Sequence, residues 1–201
     1  MEKGLLYIVS GPAGGGKGTV VKKILENHPE IVLSISMTTR APRPTETPDV
    51  DYYFVSKEAF LESVKNGEML EYAEYNGNYY GTPKAKVMEN LEGGRDVLLE
   101  IEVEGAMQVK NTFPEAIAIM LTPPNKEVLE ARLRGRGTES EENILNRLAK
   151  AKLEIKFLPQ YDYSVVNEDN GVERCAELIY SIIEAEHRKT VHTKSIMKNF
   201  E

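Results

Sequence analysis

The sequence predicts an α/β fold in which a parallel sheet of five strands is covered by helices on both faces. Three observations support this fold class: short apolar runs alternate with segments of helical periodicity, a glycine-rich loop directly follows the first apolar run, and two stretches interrupt the alternation. Strands that alternate with helices pair in parallel, because the connecting helices pack on the faces of the sheet. Ligands of such sheets bind beyond the carboxyl ends of the strands, which is where the glycine-rich loop is expected.

The regular elements follow from hydrophobic periodicity. Apolar runs predict buried strands over residues 4–9, 31–37, 96–102, 116–121 and 162–166. Between them, apolar residues recur at helical spacing, which predicts helices over 17–27, 125–134 and 171–188.

The two interrupting stretches are predicted as insertions on the ligand side of the sheet. Residues 38–92 contain short strands of their own at 52–55 and 69–75, followed by a hairpin signal at Asn76-Gly77. Residues 132–147 are dense in arginine and glycine. The chain is therefore predicted to be one domain with core segments 1–37, 93–131 and 148–190, two insertions, and a loosely held tail over 191–201.

Composition and charge argue against several classes of protein. The 201 residues are 41% hydrophobic, as in a soluble globular domain, and the apolar runs are far too short to span a bilayer. The net charge of −7 argues against bulk nucleic-acid binding, which needs a basic surface. Met1-Glu2-Lys3 does not resemble the start of a secretory peptide, and the single Cys175 forms no internal disulfide. We therefore expect a cytoplasmic protein.

The glycine-rich loop is the first candidate site. It consists of Gly11, Pro12, Ala13, Gly14, Gly15, Gly16, Lys17, Gly18 and Thr19, between a predicted strand and a predicted helix. Its spacing fits the P-loop pattern, in which backbone N–H groups, a lysine and the helix dipole bind a nucleotide's phosphates. The alternative is a flexible turn with a solvated Lys17. A cation opposes the dipole in the first turn of a helix, so a bound anion explains Lys17 better.

One position departs from the pattern. Gly18 follows Lys17, where serine or threonine is usual. The hydroxyl that normally meets the magnesium shell must therefore come from Thr19 or be replaced by water.

A second candidate site begins at Thr38-Thr39-Arg40-Ala41-Pro42-Arg43-Pro44. Residues before proline avoid the helical region, so the segment is expected to be extended. Near polyproline II, Arg40 and Arg43 would face the same way, roughly 9 Å apart at about 3.1 Å per residue. Two planar guanidinium groups suit one phosphate, although two solvated arginines in a surface loop remain an equal alternative.

Aromatic and acidic residues surround this predicted site. Tyrosines cluster beyond it, at Tyr52, Tyr53, Tyr72, Tyr75, Tyr79 and Tyr80. Some must pack, but a tyrosine hydroxyl can also donate to a phosphate. Glu71, in an otherwise apolar and aromatic strand, is by itself better explained as a solvated residue. Glu100 and Glu102 share one face of a strand near its carboxyl end, which indicates either Mg²⁺ held through water or ordinary exposure.

With these motifs in order, the chain resembles the guanylate kinases, which are P-loop nucleoside monophosphate kinases. The matching segments are GPAGGGKGT (11–19), SISMTTRAPRP (34–44), DYYFVS (51–56), EYNGNYYGT (74–82), LLEIEVEGA (98–106) and RLRGRGTESEE (132–142). A P-loop alone is common to many nucleotide enzymes, whereas the combination is far more specific. It extends over residues 4–186, nearly the whole chain.

The resemblance implies a role for each matching residue. It places Arg40, Arg43, Tyr52 and Tyr80 on the phosphate of GMP, and Ser36, Glu71 and Thr82 on its guanine. Glu102 falls on an acidic position near the acceptor nucleotide, and Thr19 and Glu100 are the candidates for Mg²⁺, the latter through water. ATP is assigned to residues 11–19 together with Arg132, Arg136 and Asn167, and transition-state roles to Lys17, Arg136 and Arg147. Residues 38–92 become the GMP-binding insertion and residues 132–147 a mobile lid.

The implied activity is transfer of the γ-phosphoryl group of ATP to GMP or dGMP, giving ADP and GDP in purine nucleotide metabolism, with Mg²⁺ as cofactor. ATP and GMP are the implied partners, without nucleic acid or membrane. The alternative is a catalytically silent guanylate-kinase-like interaction module, which the intact P-loop and arginines disfavour. A regulatory GTPase is excluded, because Val128 in Asn125-Lys126-Glu127-Val128 cannot accept the hydrogen bonds of its guanine signature.

Overall fold

The computed structural model describes residues 3–75, 77–135, 137 and 140–191. Its main sheet consists of β1 (Leu6–Ser10), β2 (Val32–Leu33), β7 (Val97–Glu100), β8 (Ile117–Thr122) and β9 (Tyr163–Val166). The strand order is β2-β7-β1-β8-β9, and all strand pairs are parallel. Every residue of β1 and β8 is buried, as expected of central strands between two helical layers.

Helices cover both faces of this sheet. One core lies against α1 (Lys17–Asn27) and α7 (Val172–His187), and includes Val20, Ile24 and Ile179. The other lies against α3 (Lys84–Glu92) and α4 (Val103–Thr112), and includes Val87 and Val109. The predicted helices 17–27 and 171–188 are present, whereas α4 occupies a segment for which no helix was predicted.

A second sheet is formed mostly by the insertion over residues 38–92. Its order is β4-β3-β6-β5, formed by β3 (Ser36–Thr38), β4 (Tyr52–Phe54), β5 (Met69–Tyr75) and β6 (Asn78–Pro83), with α2 (Lys57–Lys65) connecting β4 to β5. The single strand predicted at 31–37 is wrong. Val32–Leu33 pairs with β7 in the main sheet, but Ser36–Thr38 pairs with β4 and β6. Strand pairing between distant segments decides this division, and local hydrophobicity does not reveal it.

The remaining helices form a smaller cluster beside the main sheet. α5 (Lys126–Gly135) packs on α6 (Glu141–Glu154) through Leu129, Leu133, Ile144 and Leu148. Ser140 caps α6 by accepting a hydrogen bond from the Asn143 N–H. The 3₁₀-helix Ile155–Gln160 then leads to β9. Within the residues described, we found no helix long and apolar enough to cross a membrane.

Candidate active site

The glycine-rich loop connects β1 to α1 and has a backbone that glycine favours. Gly11, Gly14 and Gly16 have φ values of 146°, 93° and 93°. A Cβ atom on Gly11 would lie 2.1 Å from the carbonyl oxygen of Leu121, so the loop lies directly against β8. Gly16 is the N-cap of α1 and bears no capping side chain, which leaves the first N–H groups of the helix available to an anion.

The residue that follows β9 holds the backbone of the glycine-rich loop. Asn167 follows this strand and is 4% exposed, and its Nδ2 donates to the carbonyl oxygen of Gly15 over 2.9 Å. Arg132 of α5 donates to the carbonyl oxygen of Asn167 and to Asp169, at 2.8 and 2.9 Å. Its Nη1 is buried, and no residue in the described ranges accepts a hydrogen bond from it. Asn167 therefore acts on the loop through its amide, while Arg132 retains an unused donor.

Lys17 is held at the base of the loop. It is 8% exposed, and its Nζ donates to the carbonyl oxygen of Gly11 at 2.7 Å and to Glu102 Oε1 at 3.0 Å. Glu102 is the N-cap residue of α4 and also lies 3.7 Å from Lys150 of α6. The ammonium group is thus fixed beside the loop by one carbonyl and one carboxylate.

Glu100, the last residue of β7, lies over the first turn of α1. A Cβ atom on Gly18 would be 3.4 Å from Glu100 Oε1 and 3.7 Å from Oε2. Desolvation raises the pKa of the Glu100 carboxyl above its ordinary value, Lys17 opposes this shift, and the charge of Glu102 adds to it. Within the described ranges, no group of three or more histidine, cysteine, aspartate or glutamate side chains could hold a metal ion by itself.

A buried carboxyl marks the second site. Glu71 of β5 is 7% exposed, and the hydroxyl of Thr82 on β6 donates to its Oε1 over 2.7 Å. A register irregularity between Met69 and Glu71 interrupts the β5–β6 ladder, as bulges that re-aim a side chain do. Burial raises the pKa of Glu71 to about 7, and the hydrogen bonds from Thr82 oppose this shift only in part.

Glu71 lies against α4. A Cβ atom on Gly105 would be 2.6 Å from Glu71 Oε2, so only glycine leaves room for the carboxyl there. Gln108 fixes β5 to the same helix, since its side-chain amide accepts from the Tyr72 N–H at 3.1 Å and donates to the Tyr72 carbonyl at 2.9 Å.

The two arginines of the proline-rich segment converge on one carboxylate. Arg40 donates through Nη1 and Nη2 to the two oxygens of Glu46, both at 2.9 Å. The N–H of Arg43 donates to Glu46 over 2.8 Å, and its guanidinium lies 3.8 Å away. This pairing lowers the pKa of Glu46 to about 2 and raises that of Arg40 above its ordinary value. Arg40 is thus a largely buried, paired group with a side chain 17% exposed, whereas the side chain of Arg43 is 71% exposed.

Aromatic rings pack around the Arg40–Glu46 pair. The Arg40 guanidinium lies over Tyr52, 5.4 Å from the ring centroid, and the rings of Tyr52 and Tyr80 meet edge to face at 6.2 Å. Ser36 is half-buried in β3, which pairs with both β4 and β6. The second sheet therefore carries Ser36, Tyr52, Glu71, Tyr80 and Thr82 of the predicted site, and Arg40 lies against Tyr52.

Comparison with known proteins agrees with this geometry. The family model described as "Guanylate kinase" matches residues 3–186. The guanylate kinase of Lactococcus lactis is 54% identical over 186 residues, covering 92% of this chain and 90% of its own length. That of Clostridioides difficile is 49% identical over 197 residues, covering 98% and 95%. The chain belongs to the guanylate kinase family.

A solved structure of the guanylate kinase family has the same fold. The crystal structure of guanylate kinase from Anaplasma phagocytophilum matches with a TM-score of 0.75 at 37% identity, covering 94% of this chain and 89% of its own. The predicted family, the α/β fold class and the enzyme class, a nucleoside monophosphate kinase, are confirmed. The names of the relatives favour the enzyme over the silent interaction module.

The residues of the predicted lid are only partly described. Arg132 lies in α5 and Arg147 in α6, on either side of the interhelical segment. Arg136, which the resemblance to the guanylate kinase family assigns to ATP and catalysis, lies outside the described residues. So do residues 192–201 of the predicted tail and Asn76 of the predicted hairpin.

Sequence reasoning missed three positions at the second candidate site. Glu46 is an acid within a basic, proline-rich segment, and that change of sign is a signal that could have found it. Gly105 and Gln108 have no such signal. Their contacts with Glu71 and Tyr72 depend on how α4 packs against β5, which local sequence does not specify.

Proposed function

We propose that the chain transfers the γ-phosphoryl group of ATP to GMP or dGMP, and that the two nucleotides bind on opposite sides of the first turn of α4. One observation supports this above all. Glu102 contacts Lys17 of the loop, and Gly105 contacts Glu71 of the second sheet. Three residues of a helix rise about 4.5 Å, so one short segment adjoins both sites.

The second site has the chemistry to recognise guanine. The pairing edge of guanine presents two N–H donors beside one acceptor, and the Glu71 carboxylate can accept from both donors. Ser36 can donate to O6, whereas the hydroxyl of Thr82 can do so only by turning its single proton away from Glu71 Oε1. Adenine has the opposite polarity and would leave a buried carboxylate unpaired, which a site built on polar pairing rejects strongly.

The arginine corner suits the phosphate of GMP. Arg40, Arg43, Tyr52 and Tyr80 supply cationic and hydroxyl donors, and bidentate guanidinium groups match phosphate geometry. Glu46 acts as a positioning residue that fixes the Arg40 fork and the Arg43 backbone. Residues 38–92 are therefore proposed as the GMP-binding insertion.

Transfer needs alignment and charge neutralisation rather than a general base. The GMP phosphate has a second pKa of about 6 and is largely deprotonated at neutral pH. Lys17 and the N–H groups at the start of α1 bind the phosphates of ATP, and Arg132 and Asn167 hold the loop. Arg136 and Arg147 complete the site when the lid, residues 132–147, closes and excludes water.

The side-chain oxygens near Lys17 are suited to binding Mg²⁺. This ion prefers oxygen ligands and is bound through one or two carboxylates together with substrate phosphates, which agrees with the small number of acidic groups here. Glu100 and the exposed hydroxyl of Thr19 are the residues that would hold it. When bound, Mg²⁺ neutralises charge on the transferring phosphoryl group.

A coupled assay of ADP formation tests the function. Purified protein with ATP and Mg²⁺ is supplied with GMP, dGMP, AMP, CMP or UMP at equal concentration. We expect turnover with GMP and dGMP far above that with the other three. ATP binding without GMP-stimulated turnover would contradict the proposal. We further propose a cytoplasmic location, which fractionation of the source cells would test.

Glu46→Gln tests the positioning role of Glu46. The amide cannot accept from both arginines as a carboxylate does, so the KM for GMP should rise about tenfold or more. The KM for ATP should stay near its original value, because the loop is not touched. Glu62→Gln, at an exposed position on α2, is the control. Equal KM values for GMP in Glu46→Gln and the original protein would show that Glu46 has no positioning role in GMP binding.

A further inference from the structure

The outer side of α6 carries an exposed row of apolar residues. Leu145 and Leu153 are 54% and 59% exposed, and Ala149, also exposed, lies midway between them. Residues four positions apart lie on the same side of a helix, so these three form one apolar row along α6. Ile144 and Leu148 occupy a different side, which packs on α5. The apolar row therefore lies outside the core that α5 and α6 share.

The exposed apolar surface continues past the end of the helix. The 3₁₀-helix Ile155–Gln160 exposes Ile155, Phe157 and Leu158, by 40%, 38% and 37%. Of the twelve large hydrophobic side chains that are exposed in the described part of the chain, five thus lie between residues 145 and 158. Single exposed hydrophobic residues are ordinary, whereas such a concentration is typical of an interaction surface.

The two ends of the apolar row have charges of opposite sign. Glu142 lies in the first turn of α6, and Lys156 follows its last turn. Each is seven residues from Ala149, which is about two helical turns, so both fall on the side of the apolar row. They lie about 21 Å apart along the helix at 1.5 Å per residue, so they cannot pair with each other.

A second copy of this chain fits the apolar row in one register. When two α6 helices run antiparallel around a two-fold axis at Ala149, Leu145 of each copy lies opposite Leu153 of the other. The same register places Glu142 opposite Lys156, twice by symmetry. The small side chain of Ala149 at the axis allows the two helices to approach to about 8 Å. A parallel arrangement would instead place like charges opposite each other at both ends.

We propose that α6 forms a homodimer interface, in which it pairs antiparallel with α6 of a second copy of the chain. The nucleotide sites stay uncovered, because Lys150 and Glu154 lie on another side of the helix, where Lys150 is 3.7 Å from Glu102. A single helix pair of this length buries an area at the low end of specific interfaces, so we expect a Kd in the micromolar range. The inference goes beyond the proposed function and does not depend on it.

Sedimentation equilibrium of the full chain measures the Kd of the dimer over about 1 µM to 1 mM. Ala149→Glu places two carboxylates against each other at the two-fold axis, so it should raise this Kd at least about tenfold. Ala85→Glu, at an exposed position of α3, is the matched control and should leave the Kd unchanged.

A charge exchange tests the antiparallel register. Glu142→Lys and Lys156→Glu each place like charges opposite each other between the copies, so each should raise the Kd about tenfold. The double variant has opposite charges facing again, and its Kd should return to within about threefold of the original. This recovery cannot arise within one copy, because the two positions are too far apart. Circular dichroism checks that each variant is folded.

Three results would overturn the proposal. A monomer at every concentration would leave the apolar row to another class of partner. An unchanged Kd in Ala149→Glu would place the dimer interface elsewhere. A double variant no tighter than either single variant would exclude the antiparallel register. None of these measurements uses GMP phosphorylation, so failure of the proposed function would be seen separately.

Discussion

Replacing Glu71 by glutamine is expected to raise the KM for GMP about 10- to 100-fold and to weaken selection against AMP. In the proposed site the buried Glu71 carboxylate accepts from two guanine N–H groups, and a bidentate pair of this kind discriminates by about 1–3 kcal/mol. An amide offers one acceptor and one donor, which match the donor and acceptor of adenine better than the two N–H donors of guanine, so selection against AMP should weaken. Steady-state kinetics with GMP and AMP measure the effect.

The same substitution should change the pH dependence of GMP binding. The pKa of Glu71 is about 7 in the nucleotide-free protein, and only the ionised form accepts both guanine N–H groups. The KM for GMP should therefore fall as the pH rises from 6 to 8, by about tenfold per unit below the pKa. In Glu71→Gln the part of this dependence that belongs to Glu71 disappears, and only titration of the GMP phosphate remains.

The stability of the folded protein should change with pH in the direction opposite to its affinity for GMP. The pKa of Glu71 in the folded protein, about 7, lies above its ordinary value of 4.5, so the folded state binds the proton more tightly than the unfolded state. The free energy of unfolding therefore falls as the pH rises from about 4.5 to about 7. At pH 8, Glu71→Gln should be more stable by about 1–3 kcal/mol.

Glu74→Gln, at an exposed position of the same strand, controls for a generic loss of charge. Denaturant unfolding at pH 5 and pH 8 separates the stability effect from the kinetic one. Unchanged GMP kinetics in Glu71→Gln would exclude Glu71 from guanine recognition, whatever happens to stability.

Lys17→Met is expected to lower kcat by about 10²- to 10³-fold, because it removes a preorganised cation from the transferring phosphoryl group. Methionine keeps much of the length and apolar volume of the side chain. Glu102 loses its partner but still lies 3.7 Å from Lys150, so the fold should persist. Single-turnover kinetics with saturating GMP measure the chemical step.

Lys22→Met is the matched control, because Lys22 lies on the same helix with its side chain 78% exposed. Its kcat should equal that of the original protein. Retention of full kcat in Lys17→Met would contradict the role of the loop lysine in transfer.

The central strands of the main sheet were predictable because they are buried on both faces. Strands such as Ile117–Thr122 are then continuous apolar runs, and the helices between them show a single apolar face. The residues near 31–37 were predicted wrongly for a related reason. Half-buried strands give a weak pattern, and their membership of one sheet or the other depends on partners far along the chain.

The candidate site was predictable wherever chemistry is concentrated locally. The P-loop spacing identified Lys17, and the proline-rich segment identified Arg40 and Arg43 as a pair. Glu71 was different. From the strand pattern it was expected to be solvated, and only the resemblance to the guanylate kinases assigned it to guanine. Its burial against Gly105 comes from the packing of two elements that are more than thirty residues apart.

By itself, the sequence determined the alternation of strands and helices in the core, the glycine-rich loop and the family, because each of these depends on residue types at short, fixed spacing. Tertiary structure alone decided that Glu46 fixes Arg40, that Glu100 lies over Gly18, and that one turn of α4 adjoins both sites. These contacts join residues whose separation along the chain carries no information about distance in space. They arise only when the sheet, the insertion and the helices pack together.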